Sequence, residues 1–301
     1  MKLSYIFAAA AALCLASCSD NEPADGNKFP DDNVIRVTTN INDVVKARST
    51  SDYTGDDFAL YISPADAENI YTYKNVWFGL SAGQWLPIDG SELHWQSKTT
   101  NYTYSAYAPA AGTNGTALTD NQLSYDLSNN NFDLIWTSGK GLASDLAASG
   151  ALNLTFDHQF CRFALEIVVG NSFYLSSSEN PIDAVSFTNT TGKGQFNVLT
   201  GEITNTEEVE IVASAGSHTA GTLTEDGVYT TAGDYIAPGE QSITVNLTVN
   251  GDDYSYTHPF YNFEAGKSYT LKIKVGESSV NATGITISQW NENEATDIST
   301  H

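Results

Sequence analysis

The chain has 301 residues and a net charge of −23, from 36 acidic against 13 basic side chains. That balance speaks against nucleic acid as a partner, because binding to phosphate needs Lys and Arg to displace counterions. Charged residues reach 16% and hydrophobic residues 41%, which speaks against whole-chain disorder and predicts a folded, weakly charged chain of about two domains at roughly 150 residues each.

Met1-Lys2-Leu3 and the apolar run from Tyr5 to Leu15 read as a secretory leader, since the run is shorter than the ~20 residues a membrane span needs. It ends in Leu15-Ala16-Ser17-Cys18, which matches the lipobox of bacterial lipoproteins, where the cysteine sulfur accepts a diacylglyceryl group before cleavage. Residues 1–17 are thus expected to be removed and Cys18 to become a lipidated N-terminus. Residues 18–33, rich in Asp, Asn, Pro and Gly, read as a flexible tether.

Beyond the tether, Val34 to Ile41 alternates apolar and polar residues with period two, the pattern of a half-buried strand. Similar runs recur at Ala59 to Ile62, Tyr102 to Tyr107, Leu152 to Thr155, Phe163 to Val169, Ala184 to Phe187, Val209 to Ala213, Ser242 to Val249 and Tyr269 to Val275. Turn signals separate them at Gly83, Asp89-Gly90, Gly112 to Gly115, Asn189 to Gly194, Asp226-Gly227 and Asn250-Gly251, the last a strong hairpin cue. Only Pro64 to Asn69 and Leu142 to Ser149 could hold a turn or two of helix. The pattern predicts an all-β chain of two tandem, mostly antiparallel β-sandwiches, at 34–172 and 173–301, with the boundary within Gly170 to Pro181.

Little in the sequence points to catalysis. The five histidines lack metal-ligand spacing, and there is no nucleophile elbow, phosphate loop or dinucleotide fingerprint, so neither metal, cofactor nor enzyme activity is expected. Cys14 lies in the leader and Cys18 in the lipobox, which leaves Cys161 without a partner and excludes a disulfide framework. In its strand-like run Cys161 reads as a small buried hydrophobe. Trp77, Trp85, Trp95 and Trp136 read as core residues in preference to sugar-stacking platforms.

The lipobox, the acidic tether and the paired sandwiches together resemble the fimbrillin family, the type V pilins of Gram-negative anaerobes. The resemblance is carried by the first strand followed by Lys46-Ala47-Arg48, by Tyr104 to Pro109, and by Leu154 to His158 leading into the last strand of the first domain. In the second half it is carried by Phe263 to Leu271, with its Gly-x-x-Tyr pattern, and by Gly284 to Trp290. It implies transthyretin-like sandwiches and a lipoprotein precursor that travels to the outer membrane, held there by the lipid on Cys18. An arginine-specific or trypsin-like protease would cut between Arg48 and Ser49 and release the strand bearing Ile35, Val37, Thr39 and Ile41. A strand of another subunit would then fill the vacated groove, and Ile285 and Ile287 with Trp290 as an anchor make Gly284 to Trp290 the candidate donor. The competing reading is that this segment completes its own domain. The expected partners are other pilus subunits, with a host glycan or protein as a candidate receptor. The alternative function is a monomeric, surface-anchored glycan-binding lipoprotein.

Overall fold

The computed structural model describes residues 29–42, 50–52, 55, 57–64, 71–112, 116–129, 132–146, 150–174, 180–277 and 279–289. Cys18, Arg48, Ser49 and Trp290 lie outside the described residues. The first ten strands are β1 (Val37–Asn42), β2 (Thr50–Asp52), β3 (Phe58–Pro64), β4 (Tyr73–Ser81), β5 (Gln84–Pro87), β6 (Asn101–Ala108), β7 (Ala117–Thr119), β8 (Gln122–Asp126), β9 (Ile135–Leu142) and β10 (Leu152–His158). The rest are β11 (Cys161–Val169), β12 (Ile182–Asn197), β13 (Ile203–Val212), β14 (Ala215–Thr219), β15 (Gly227–Thr231), β16 (Asp234–Ile236), β17 (Gly239–Val249), β18 (Asp252–Phe263), β19 (Lys267–Gly276) and β20 (Ser279–Gln289). Short 3₁₀ turns cover Ala143–Asp145 and Asn171–Tyr174. The chain is all-β, and its described strand pairs are antiparallel except β1 with β10 and β11 with β19.

Period-two burial drives the strands. In β11 the side chains of Cys161, Phe163, Leu165, Ile167 and Val169 are buried while those between them are half-buried, and Ile243, Val245, Leu247 and Val249 do the same in β17. Two hairpins show why their turn residues were needed. Ala82-Gly83 joins β4 to β5 with φ of 50° and 80°, and Asn250-Gly251 joins β17 to β18 with φ of 50° and 85°, the paired positive φ of a tight hairpin.

The first unit is one eight-stranded sheet in the order β2-β1-β10-β9-β6-β3-β4-β5. It curls until its two ends meet. The Val34–His94 bridge, the bond from the Ile35 amide to the Leu93 carbonyl (2.8 Å) and that from the Trp95 amide to the Asn33 carbonyl (2.8 Å) tie the start of the chain to the segment after β5. Between the facing halves lies a core of Phe58, Phe78, Trp85, Leu93, Trp95 and Phe156 with their neighbours. Phe29, within the expected tether, packs partly buried against it.

The second unit sets β14-β15-β11-β19-β20, with β16 also on β11, against β18-β17-β12-β8-β7, with β13 also on β12. Phe163 meets Phe187 (ring centroids 5.0 Å) and Phe263 (6.2 Å) between the two layers. Two features depart from the sequence-based division. Strand β11, placed in the first sandwich by a boundary at 172/173, sits at the centre of a second-unit sheet, paired with β19 on one edge and with β15 and β16 on the other. The β7–β8 hairpin, which precedes it, also leaves the first unit, and β8 pairs with β12 from Lys193 to Asn197. Asn189 to Gly194, expected as a turn, is a bulged stretch inside β12.

The units share a core. Ala59, Tyr61 and Tyr107, on the outer face of the eight-stranded sheet, are buried in the second unit's cluster. The Trp136 indole donates to the Val198 carbonyl at 2.9 Å and meets Phe196 edge-on.

Candidate assembly strands at the two ends of the chain

Strand β1 and the residues before it turn Ile35, Val37 and Thr39 inward, at 6%, 7% and 5% exposure, while Arg36 and Thr38 face solvent and Ile41 is half-buried. At about 1.5–3 kcal/mol for each large apolar side chain fully removed from water, Ile35 and Val37 alone contribute several kcal/mol. The strand runs parallel to β10, with Val37 opposite Leu152, Thr39 opposite Leu154 and Ile41 opposite Phe156. On its other edge it meets β2 only from Asn40 to Asn42.

Polar contacts fix its register. The Trp85 indole of β5 donates to the Thr39 hydroxyl at 2.7 Å, Asn40 donates to Asn153 (2.7 Å) and Asn42 to Asp157 (2.6 Å). Ahead of the strand, Arg36 forks onto both oxygens of Asp32, and this hydrogen bond holds the Asp32 carboxyl well below the usual carboxylate range. An open groove of about 800 Å³ runs beside β1 toward the β4–β5 hairpin, lined among others by Val37, Thr39, Leu80, Trp85 and Leu93.

The chain contains three arginines, Arg36, Arg48 and Arg162. The Arg36 carbonyl accepts from the Leu152 amide at 2.8 Å. Arg162 lies within β11, between Tyr235 of β16 and Ser268 of β19, and its guanidinium donates to the Ala232 carbonyl. Both bonds that follow these residues are therefore engaged in sheet structure. Arg48 falls in the segment between β1 and β2.

At the other end, β20 is the edge strand of its sheet and pairs antiparallel with β19, Ile285 opposite Leu271 and Ile287 opposite Tyr269. Both isoleucines are half-buried against the larger core. The register shifts at Gly284, whose φ of 154° suits glycine at a bulge. In this state the segment completes its own sheet.

The structure does not bring Ile285 and Ile287 to Ile35, Val37, Thr39 and Ile41, since the two sets sit in different sheets. Cys161 is buried, with its thiol 3.1 Å from the Glu264 carbonyl, and burial pushes its pKa far up. Among the described residues no group of three or more His, Cys, Asp or Glu side chains could hold a metal ion. Trp85 and Trp95 are core residues and Trp136 packs at the junction of the units, but Trp77 is 37% exposed.

A two-unit all-β chain, closed at its start by an edge-anchored parallel strand and at its end by an antiparallel edge strand, is the class this architecture defines. The chain belongs to the fimbrillin-like family, whose sequence profile matches residues 46–290. Similar solved structures include a candidate cell adhesion protein from Bacteroides ovatus (18% identity, TM-score 0.61, covering 87% of this chain and 99% of that one). Another, with the same description, comes from Bacteroides uniformis (17%, 0.61, 87% and 100%). A fimbrial protein from Bacteroides vulgatus also matches (10%, 0.53, 86% and 99%). At these identities the likeness is one of fold. No curated protein matches the chain.

Proposed function

We propose that this chain is the lipidated precursor of a pilus subunit for surface adhesion, activated when proteolysis after Arg48 removes β1 and another subunit's strand replaces it. The observation that carries the reading is the way β1 is held. It closes the core of the first unit, yet its ties are a single ladder to β10, a three-residue pairing with β2 and a few side-chain bonds. Its loss leaves an unpaired edge on β10 and an apolar slot over Phe58, Trp85 and Phe156, a template for strand addition.

Two further facts support it. The Arg36 carbonyl is held by the Leu152 amide and Arg162 lies in the β11 ladders, so neither of these two bonds is offered to a protease as an unpaired, extended stretch. The family profile begins at residue 46, so nearly all of the segment that cleavage discards lies outside the match. Cys18 carries the lipid that holds the precursor at the outer membrane, and cleavage parts the subunit from it. The donor is Gly284 to Trp290 of the next subunit, which leaves the edge of its own sheet to pair with β10. The contact is head-to-tail and does not close, so it builds a filament.

The test is digestion of the purified chain from Ser19 onward with an arginine-specific protease. The expected result is one cut after Arg48 and a ladder of SDS-resistant oligomers. Arg48→Ala abolishes both, and Ile287→Asp, which keeps the cut, abolishes the ladder alone. A clipped protein that stays monomeric at high concentration overturns the reading.

A further inference from the structure

Independently of strand exchange, the structure holds a second recess, of about 350 Å³, where the two units meet. Its floor is the outer face of β3 and β6, where Tyr61 stands opposite Ser105 and Ser63 opposite Thr103. The same face carries Ala59 and Tyr107 into the shared core, but at these next positions it turns hydroxyl-rich. One wall is Tyr73-Lys74 at the start of β4. The opposite wall comes from the second unit, as Asn121 of the β7–β8 turn and Leu199 of the turn after β12, tied together by the Val198 amide donating to the Asn121 carbonyl at 3.0 Å. The recess exists because β7–β8 crosses from one unit to the other.

Three observations give its chemistry. The Ser105 hydroxyl is buried, in a residue 3% exposed, and neither it nor the buried hydroxyl of Thr72, another lining residue, has a hydrogen-bond partner among the described residues. A buried polar atom left unpaired costs about 1–3 kcal/mol, so such a pair calls for a ligand or water that supplies bonds. Second, in a chain with 36 acidic side chains, none of the described residues lining the recess is acidic. Third, Lys193, Lys267, Lys272 and Lys274 each have an acidic partner, whereas Lys74, like Lys98 and Lys140, makes no ion pair with a described residue, and of these three only Lys74 lines the recess. Lys74 is exposed there.

We propose that this recess is a saccharide-binding site that prefers acidic sugars. Hydroxyl and amide side chains match the vicinal hydroxyls of a pyranose, and Lys74 matches a carboxylate. The volume lies at the lower end of the ~300–1,000 Å³ of small-molecule sites, room for one or two sugar units. Junctions between domains are a favoured place for such sites. The glycan contact of this subunit is thus made by hydroxyl and amide side chains with Lys74, not by the tryptophans that draw the eye in the sequence.

The experiment is saturation-transfer NMR and calorimetric titration of the full chain. The probes are methyl glycosides of glucose, galactose, mannose and N-acetylglucosamine, with methyl glucuronide and methyl galacturonide as acidic counterparts. At least one uronide is expected to bind with Kd on the order of 1 mM, five-fold or more tighter than its neutral counterpart. Lys74→Gln removes that preference, Thr103→Val weakens acidic and neutral sugars alike, and unchanged thermal melting shows both variants folded. No binding by any probe up to about 10 mM, or binding that neither variant changes, overturns the site. A neutral sugar that binds as well as its uronide, with no response to Lys74→Gln, overturns the acidic preference.

Discussion

Cys161 shows how much one position can carry. Its strand periodicity marked it as a buried hydrophobe, and the structure seats it in β11 with the thiol against the Glu264 carbonyl. Burial pushes its pKa far above the ordinary thiol value, which has a defined effect on stability. Below about pH 8.5 the thiol is protonated in both states; above it the unfolded chain loses the proton while the folded chain keeps it. Stability is therefore full below about pH 8.5 and falls as pH rises, by about 1.4 kcal/mol per pH unit for this one group. Urea denaturation at about pH 7.5, 8.5 and 9.5 is expected to show that extra slope in the wild type and not in Cys161→Ala, whatever the baseline stability of the variant. Equal slopes would mean that the thiol ionises as readily folded as unfolded.

Trp85 gives a second test at the same scale. Its indole bond to Thr39 joins β5 to β1 across the first core, and its ring lies edge-on to Phe58 at 4.9 Å. Trp85→Phe keeps an aromatic ring and deletes the donor. The expected cost is about 1–3 kcal/mol by chemical denaturation, with amide exchange in β1 accelerated more than in β17. Core tryptophans were legible from their strand-like surroundings. The partner of an indole N–H was not, because it comes from 46 positions away.

Among elements, the strands themselves were legible wherever one face is buried and one is wet, as in β1, β6, β11, β17 and β19. Membership of a sheet was not. Period two states that Phe163 to Val169 is a strand, but not that its neighbours are β15, β16 and β19, since those pairings form across long stretches of chain. The β7–β8 hairpin is similar: Leu123 and Tyr125 are buried, but in the second unit's core, which local sequence does not announce. A fragment of residues 173–301 therefore lacks β11, β7 and β8. Phe163, Leu165, Ile167 and Val169, at 1%, 0%, 0% and 0% exposure, together contribute about 6–12 kcal/mol of burial, as much as the whole stability of a typical domain at about 5–15 kcal/mol. The fragment is expected to show no cooperative melting by circular dichroism, whereas residues 50–301, which keep all three strands, are expected to show it. The candidate site divides in the same way. The two end strands were legible as alternating runs, while the saccharide recess was not, because Ser105, Lys74, Asn121 and Leu199 meet only through the fold.

For the whole molecule, the charge with which the sequence opens sets how subunits meet. Cleavage after Arg48 removes six acidic and five basic side chains, leaving 30 against 8, or −22. The acidity thus belongs to the folded body. Four of the described lysines of the second unit are paired with acids, so little cationic surface remains to draw another copy in. Copies associating head-to-tail as proposed would therefore repel one another at long range, which favours a dispersed precursor and opposes encounter. Salt shortens the reach of that repulsion from ~30 Å at 0.01 M to about 10 Å at 0.1 M. The proposed strand-in-groove contact would itself be made of backbone hydrogen bonds and apolar side chains, which salt of this strength leaves nearly unchanged. The rate of oligomer formation after a fixed clip at Arg48 is accordingly expected to rise several-fold between about 0.01 M and 0.3 M NaCl, followed by light scattering. A rate that falls with salt would mean that opposite charges at the two ends of the subunit steer the encounter, and would move the driving contact from the apolar groove to a charged surface.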